Sequence, residues 1–580
     1  MNQRQRVWVL RVACVAWAIV TGGVTCMLAT HRSTQPILGA YSLPAMAASA
    51  LATVSCIFSI TAALLPAWIL LRFQVWLVEG FQSVSPPPPA GTTRQGVVLL
   101  FLALAAYAGI ATRLISANRT AVDDQLDYLR VAAKIHATGG IGEMWQQLWN
   151  GTYEAGEPTA GNRHPLYPGL LALQPGFDGI APLPEDSPER LSRLLQREFH
   201  RSKWLSFWLG LLLLAAIWWL TVRPAGWLVG GAAAVLIATN VTFQQSSSIV
   251  ACEVLLTAWG MLAWFTIRLP ACCWRRGASH QPDAQARELP SSRSRALRAC
   301  VAGERCEPGV GVPHSGGETN RLKPGLQQCV AVVARCLLVG VWLGLGYLMK
   351  ASAVFLLAGF LAWSLFVPEL RRWSWLAAIS FALVTSPLLV RNARAFGDPL
   401  YSYNTRFLFA DSFKEGQAMD FHSTRSAAQE YFQSHTVSAI ARRAFGGLAW
   451  EGYILLRSLG PASLPTSRAL VGSVVLLLAI LGAVSLERPL VWLAGVWCAS
   501  FYLFFSWYVP IASGDRFVAP LVPVVLSFAA HGVVGLMTAK AGSTQDRVGR
   551  RLVGLAIGWC ATVVVLTWSQ SGSGFSQSTP

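Results

Sequence analysis

Residues 97–136 read VVLLFLALAAYAGIATRLISANRTAVDDQLDYLRVAAKIH. Val97 to Thr112 carry no charge, and the run ending near Ala117 has the length of a bilayer crossing, about 20 residues. Asp123, Asp124 and Asp127 follow within a few residues. Carboxylates delivered to a membrane surface by an apolar span are expected to be functional, because such groups are costly near hydrocarbon.

The rest of the chain repeats the first half of that pattern. Of 580 residues, 53% are hydrophobic and 13% charged, half the charged share of an ordinary soluble protein, about 25%. Apolar runs of about 18 residues or more recur, so the fold class is an all-α polytopic membrane protein with about 13 transmembrane helices. The net charge of +18 does not indicate nucleic acid, because the Lys and Arg lie between spans rather than on one basic domain. The 12 Cys fall in spans or in a segment expected inside, which argues against a disulfide framework.

Residues 1–95 are expected to hold two additional N-terminal spans, near 7–29 and 46–71, and the stiff linker Pro86 to Pro89. The first is read as a retained helix, since no clean cleavage site follows it. A core over 96–537 carries spans near 96–116, 204–222, 226–243, 249–267, 329–348, 351–367, 374–390, 469–485, 489–508 and 517–537. Two large polar loops, 118–203 and 391–468, interrupt it. Within the first, Tyr128, Leu129, Ala132 and Ile135, then Met144, Trp145, Leu148 and Trp149, recur at helical spacing; these pieces read as amphipathic helices on the membrane surface, with packing against the bundle as the alternative. Residues 268–328, rich in Gly, Pro, Ser and Arg, read as a disordered insertion. Residues 538–580 comprise a basic turn, a last span near 552–568 and a short tail.

An inside N-terminus puts Arg4, Arg6, Arg11, Arg72, Arg94, Arg223, Arg371, Arg372, Arg488, Lys540, Arg547, Arg550 and Arg551 on the cytoplasmic side. The short outer segments hold Arg32, Lys350 and Arg516. That bias is the positive-inside signature. It places both large loops outside and the insertion inside. Lys350, Arg516 and Arg391, at the outer end of its span, then lie at the depth of the acidic stretch. Each alone is readable as an interfacial cation with a buried stem; together they point to an anionic ligand in the outer leaflet.

Several stretches resemble one family. DDQLDYLRVAA followed by RHPLYP, SSIVACEVLLTAW with Glu253, GLGYLMKASAVFLL, PLLVRNARAFGDPLYS and DRFVAPLVPVVLSFAA are together similar to the GT-C glycosyltransferases, in the branch containing protein mannosyltransferase-like, aminoarabinose-transferase-like and rhizobial lipopolysaccharide-sugar-transferase-like proteins. The resemblance covers roughly 96–537. The two N-terminal spans and the 268–328 insertion depart from the family pattern, and its second acidic loop position has no clear match. The resemblance implies a GT-C-type bundle in the plasma or inner membrane. It also implies transfer of a sugar from a polyprenyl-phosphate donor to a lipid, glycan or protein acceptor, with inversion, on the extracytoplasmic face.

In that chemistry a carboxylate takes the acceptor's proton. The family's base lies four residues before the tyrosine, at Asp124, and Asp123 remains an alternative. The bland reading of both is an acidic helix start favoured by the helix dipole. A departing lipid phosphate calls for cations, and Lys350, Arg391, Arg516 and Arg163 are the candidates. Asp127, Tyr128, His164, Tyr167 and Glu253 are candidates for acceptor or sugar binding; for His164 the competing role is a turn contact beside Pro165. His136, His164 and His200 share the loop with Glu154, Glu157 and Asp178 but lack close ligand spacing, so no cofactor is required and a divalent metal gains no support. No phosphate-binding glycine loop is present. A lipid or solute transporter or flippase and an inactive scaffold of the same fold are the competing functions; a transporter would break helices and bury charge mid-span.

Overall fold

The computed structural model describes residues 93–121, 123–153, 164–177, 188–268, 324–419, 424–463, 468–486, 488–512, 514–539 and 545–569. The two expected N-terminal spans, the proline linker, nearly all of the 268–328 insertion, Arg163 and the C-terminal tail lie outside these residues, as does the side chain of Asp123.

The described chain is helical. Its core helices are α1 (Thr93–Ala117), α6 (Gln196–Ala225), α7 (Trp227–Ala238), α9 (Glu253–Arg268), α10 (Pro324–Met349), α11 (Ala353–Ser364), α13 (Trp375–Phe396), α17 (Arg468–Ser485), α18 (Arg488–Ala512), α19 (Val522–Ala539) and α20 (Gln545–Ser569). Six of these, α1, α6, α10, α13, α18 and α20, contain stretches long and apolar enough to cross a membrane; stretches of the other five are apolar but shorter. Every span expected after residue 95 thus falls on a helix, and the protein is an all-α membrane protein.

Helix α7, WLVGGAAAVLIA, is apolar on every side and is buried nearly all round, as such a sequence requires. It packs against α1, α6 and α19. Small residues set the tightest approaches. A Cβ on Gly482 of α17 would meet the Phe528 carbonyl of α19, and one on Gly532 of α19 would meet the Leu478 carbonyl of α17. The two backbones therefore touch at reciprocal glycines, the geometry that small residues allow between membrane helices.

The first polar loop folds as expected into short helices: α2 (Asp123–Ala137), α3 (Gly140–Asn150), α4 (Leu166–Ala172) and α5 (Pro188–Leu194). Tyr128, Leu129, Ala132, Ala133 and Ile135 of α2 and Met144 and Leu148 of α3 are buried in the main core, while Trp149 stays exposed. α2 packs on α4, and α3 on α13.

Several boundaries differ from the expectation, and two of them bear on how the polar loops join the core. α6 starts at Gln196, inside the expected loop, because Phe199, Ser202 and Lys203 are already buried against the core. Lys203 Nζ donates to the Ile115 carbonyl at 3.0 Å and to the Asn118 carbonyl, satisfying the C-terminal end of α1. α13 runs six residues past its expected end at 390 and stops at Gly397, which has φ 72°, a left-handed stop suited to glycine. Arg391 and Asn392 do not end the helix because their side chains find lateral partners. Arg391 Nε donates to the Tyr153 carbonyl at 3.1 Å, and Asn392 Nδ2 to the Tyr401 carbonyl at 3.1 Å.

After a short link, a 3-10 turn (Tyr403–Phe409), α14 (Phe413–Ala418), α15 (Thr424–Ser434) and α16 (Val437–Ser458) make up the second polar loop. Arg443 of α16 fastens it. Its guanidinium reaches the Asp411 carboxylate at 3.1 Å and the carbonyls of Ala410 at 2.9 Å and Leu408 at 3.1 Å. It also lies 4.8 Å from the Trp507 ring and 5.0 Å from Tyr431. His435 Nε2 is 2.9 Å from Asp411 Oδ2 and its Nδ1 is 2.8 Å from the Tyr431 carbonyl. The far end of α16 is tied to α7 through Asn240, whose Nδ2 donates to the Ser458 carbonyl at 2.8 Å and the Gly460 carbonyl at 3.2 Å.

Candidate functional site

Four charged residues from well-separated segments meet at one end of the bundle. Asp124 stands in the first turn of α2. Gln125 beside it is buried; its Oε1 accepts from Asn118 Nδ2 at 3.0 Å and from the Val250 amide at 3.2 Å. One side chain thus joins the end of α1, the start of α2 and the approach to α9. Glu253 opens α9, where the helix dipole favours a carboxylate. It is buried, and its Oε1 receives Lys350 Nζ at 2.6 Å. Lys350 lies in the turn joining α10 to α11. Arg516 comes from the 3-10 turn Asp515–Val518 that precedes α19, and its Nη1 donates to Asp124 Oδ2.

The two ion pairs share one aromatic ring. Lys350 Nζ lies 4.5 Å from the Phe517 centroid and Arg516 Cζ 5.2 Å from it, within the range in which a ring face attracts cations. Burial opposes the Arg516 charge. Asp124 and Glu253 more than offset that and hold the guanidinium above its ordinary value. The turn itself is anchored by Asp515, whose Oδ1 accepts from Arg457 Nε and Nη2, each at 2.8 Å.

The remaining candidates fall into two groups. His164 and Arg391 adjoin the cluster. The His164 ring meets Tyr347 edge-on, with centroids 5.1 Å apart. Its Nδ1 is buried and makes no hydrogen bond among the described residues. Burial, with Lys350 and Arg391 nearby, pushes its imidazole down to about 4, against the opposing pull of the Tyr347 carbonyl. It is therefore neutral at pH 7. Arg391 is itself buried, engaged by Tyr153, Asn392 and, at 4.7 Å, the Phe396 ring; it is a structural cation beside the site.

Tyr128 and Tyr167 form the floor. Their rings meet edge-on, with centroids 4.9 Å apart, and the Tyr128 hydroxyl is 3.1 Å from Cys252 Sγ. Tyr167 is fully buried, so its ring supports α2 rather than facing an open surface. Asp127 is half-buried, one turn beyond Asp124 on α2.

Sequence reasoning missed Phe517, Gln125, Lys203 and the Arg457–Asp515 pair. Phe517 directly follows Arg516, so its neighbourhood was legible. Lys203 and Arg457 gave no signal, because their partners are 58 or more residues away, and Gln125 gave none because it joins nearby Asn118 to the distant Val250 amide.

Chemically, the cluster alternates two carboxylates with two cations around an aromatic face. It can hold an anionic group through Lys350 and Arg516 and can accept a proton on Asp124. No family model matches the chain, and no curated protein or solved structure matches it.

Proposed function

We propose that the protein is an inverting membrane glycosyltransferase that moves a sugar from a polyprenyl-phosphate donor to a lipid, glycan or protein acceptor. The observation that carries this reading is the meeting of Asp124, Glu253, Lys350 and Arg516 at one end of the bundle. They come from four of the stretches that resemble GT-C enzymes. In the reaction Asp124 takes the acceptor O–H proton as the acceptor oxygen bonds to the anomeric carbon. The bond from that carbon to the phosphate oxygen breaks, and its electron pair leaves with the phosphate. Arg516 and Lys350 stabilise the resulting lipid phosphate. A phosphate is a good leaving group, so no acid is required. His164, neutral beside Lys350, donates or accepts a hydrogen bond with the sugar. The reading has about 13 spans, the N-terminus in the cytoplasm and the site on the outer face of the cell membrane.

A transporter is less well supported, because the ion pairs lie at helix ends rather than mid-span. The test is lipid-sugar profiling of membranes with and without the protein, followed by turnover in proteoliposomes. Asp124→Asn is expected to lower transfer by about 100-fold or more while the melting temperature stays within about 2 °C of native. Normal turnover by that variant rejects the assignment.

A further inference from the structure

We propose that Asp124 is masked in the resting protein, and that the phosphate of the lipid donor unmasks it by taking over Arg516. The inference rests on the glycosyltransferase reading and adds an order of events to it.

Each cluster cation sits on a carboxylate: Arg516 on Asp124 and Lys350 on Glu253. A carboxylate bonded to a guanidinium is a poor acceptor for a further proton. An acceptor hydroxyl that arrived first would meet a base already engaged. An entering phosphate offers oxygens that suit the guanidinium fork at least as well as a carboxylate does. When it takes Arg516, the Asp124 oxygen is released beside the anomeric carbon, where the proton must be accepted.

The two pairs are not equally exchangeable. The side chains of Arg516 and Asp124 are 41% and 32% exposed, against 21% and 3% for Lys350 and Glu253. A half-exposed pair is held weakly, whereas separating a buried pair strands a charge without solvent. Exchange therefore falls on Arg516, and Lys350 stays on Glu253 as a standing charge. Asp124 also lies on a short loop helix, while Arg516 sits in a turn fastened by Arg457. The carboxylate is the partner that swings away.

Masking gives an expectation of opposite sign to a simple binding role. In nanodiscs of zwitterionic lipid, undecaprenyl phosphate should bind Asp124→Asn about two- to fivefold more tightly than native, although the same variant loses transfer. Asp127→Asn removes an equal charge one turn away on α2; its affinity should change less than about twofold. Arg516→Ala should weaken binding at least about tenfold. Native mass spectrometry reads all four proteins as intact folded particles. Unchanged or weaker binding by Asp124→Asn, with native binding intact, overturns the masking and leaves the transferase reading standing. Equal tightening by Asp127→Asn overturns it too, in favour of a general field. If native protein binds no polyprenyl phosphate, the functional reading falls with it.

Discussion

Two acid–base clusters, one within the second polar loop and one where the first meets the ends of core helices, are built in opposite ways. Around Arg443, every group is answered locally. The carbonyls of the 3-10 turn, Asp411, Tyr431, His435 and Trp507 close around a guanidinium that is 5% exposed, and the charged partners lie 24 and 32 residues from Asp411. Around Arg516, the partner is 392 residues away, the pair is half-exposed, and Glu253 Oε2 is buried without a hydrogen bond among the described residues. A cluster that satisfies itself holds a loop. A cluster that leaves a buried acceptor unsatisfied and a cation in reach of solvent is poised for a ligand.

The sharpest way to break this comparison is to delete both arginines. Arg516→Ala should lower transfer by about 100-fold or more, with little change in melting temperature. Arg443→Ala should do the reverse. Losing the cation under Trp507 and stranding carbonyls in the second loop is expected to destabilise the protein by roughly 2–4 kcal/mol, with transfer per folded molecule near native. If Arg443→Ala abolishes transfer in a stable protein, the division into clasp and site is wrong.

Glu451 of α16 sharpens the comparison at the seam between the two clusters. Burial, with Asp515 nearby, pushes its carboxyl up to about 8. Its folded value lies above the ordinary value of 4.5, so the fold favours the protonated acid. The stabilisation is complete below about 4.5 and is lost as pH rises towards and through about 8. Glu451→Gln should therefore melt level with native near pH 5 and several degrees higher at pH 8, by differential scanning fluorimetry. A constant difference across that range contradicts the assignment.

The smallest effect belongs to His435. It presents both ring nitrogens to acceptors, and its bonds to Asp411 and to the Tyr431 carbonyl raise it above its ordinary 6.5. The clasp gains from this below about 6.5 and loses it as pH rises through the raised value. Amide protection in residues 424–436 should fall about twofold between pH 6 and pH 8 once intrinsic exchange is corrected. His435→Gln should remove that dependence, while Arg443 keeps the loop closed in both.

The contrast between local and distant clusters also explains what was legible in the sequence. Apolar run lengths gave the core helices, and helical spacing gave α2 and α3, because those patterns report one element against one environment. The positions of Lys350, Arg516 and Asp124 at span ends were readable from the same runs, and the charge bias gave them a common side. Their pairing was not readable, since nothing in the chain near residue 124 encodes residue 516. Arg391 was misjudged for a related reason. Arg-Asn after an apolar run looks like a stop, but the carbonyl of distant Tyr153 and that of Tyr401, in the turn just past the helix, let α13 continue. Tyr167 was legible as a site candidate beside His164, but its packing against Tyr128 of α2 was not.

The reciprocal glycines of α17 and α19 have a consequence for how such a protein can diversify. They leave no slack between two backbones, and α19 follows directly from the turn bearing Arg516. That wall of the site is a fixed post, and on the proposed reading the grip on the lipid phosphate is built into it. The opposite wall is a short helix in a polar loop, pinned by Gln125 and packed on α4. Drift in the first wall disturbs the bundle, whereas drift in the second redraws only what stands before Asp124. On the proposed reading, one ancestral donor scaffold can therefore serve a succession of acceptors by turnover of a single loop.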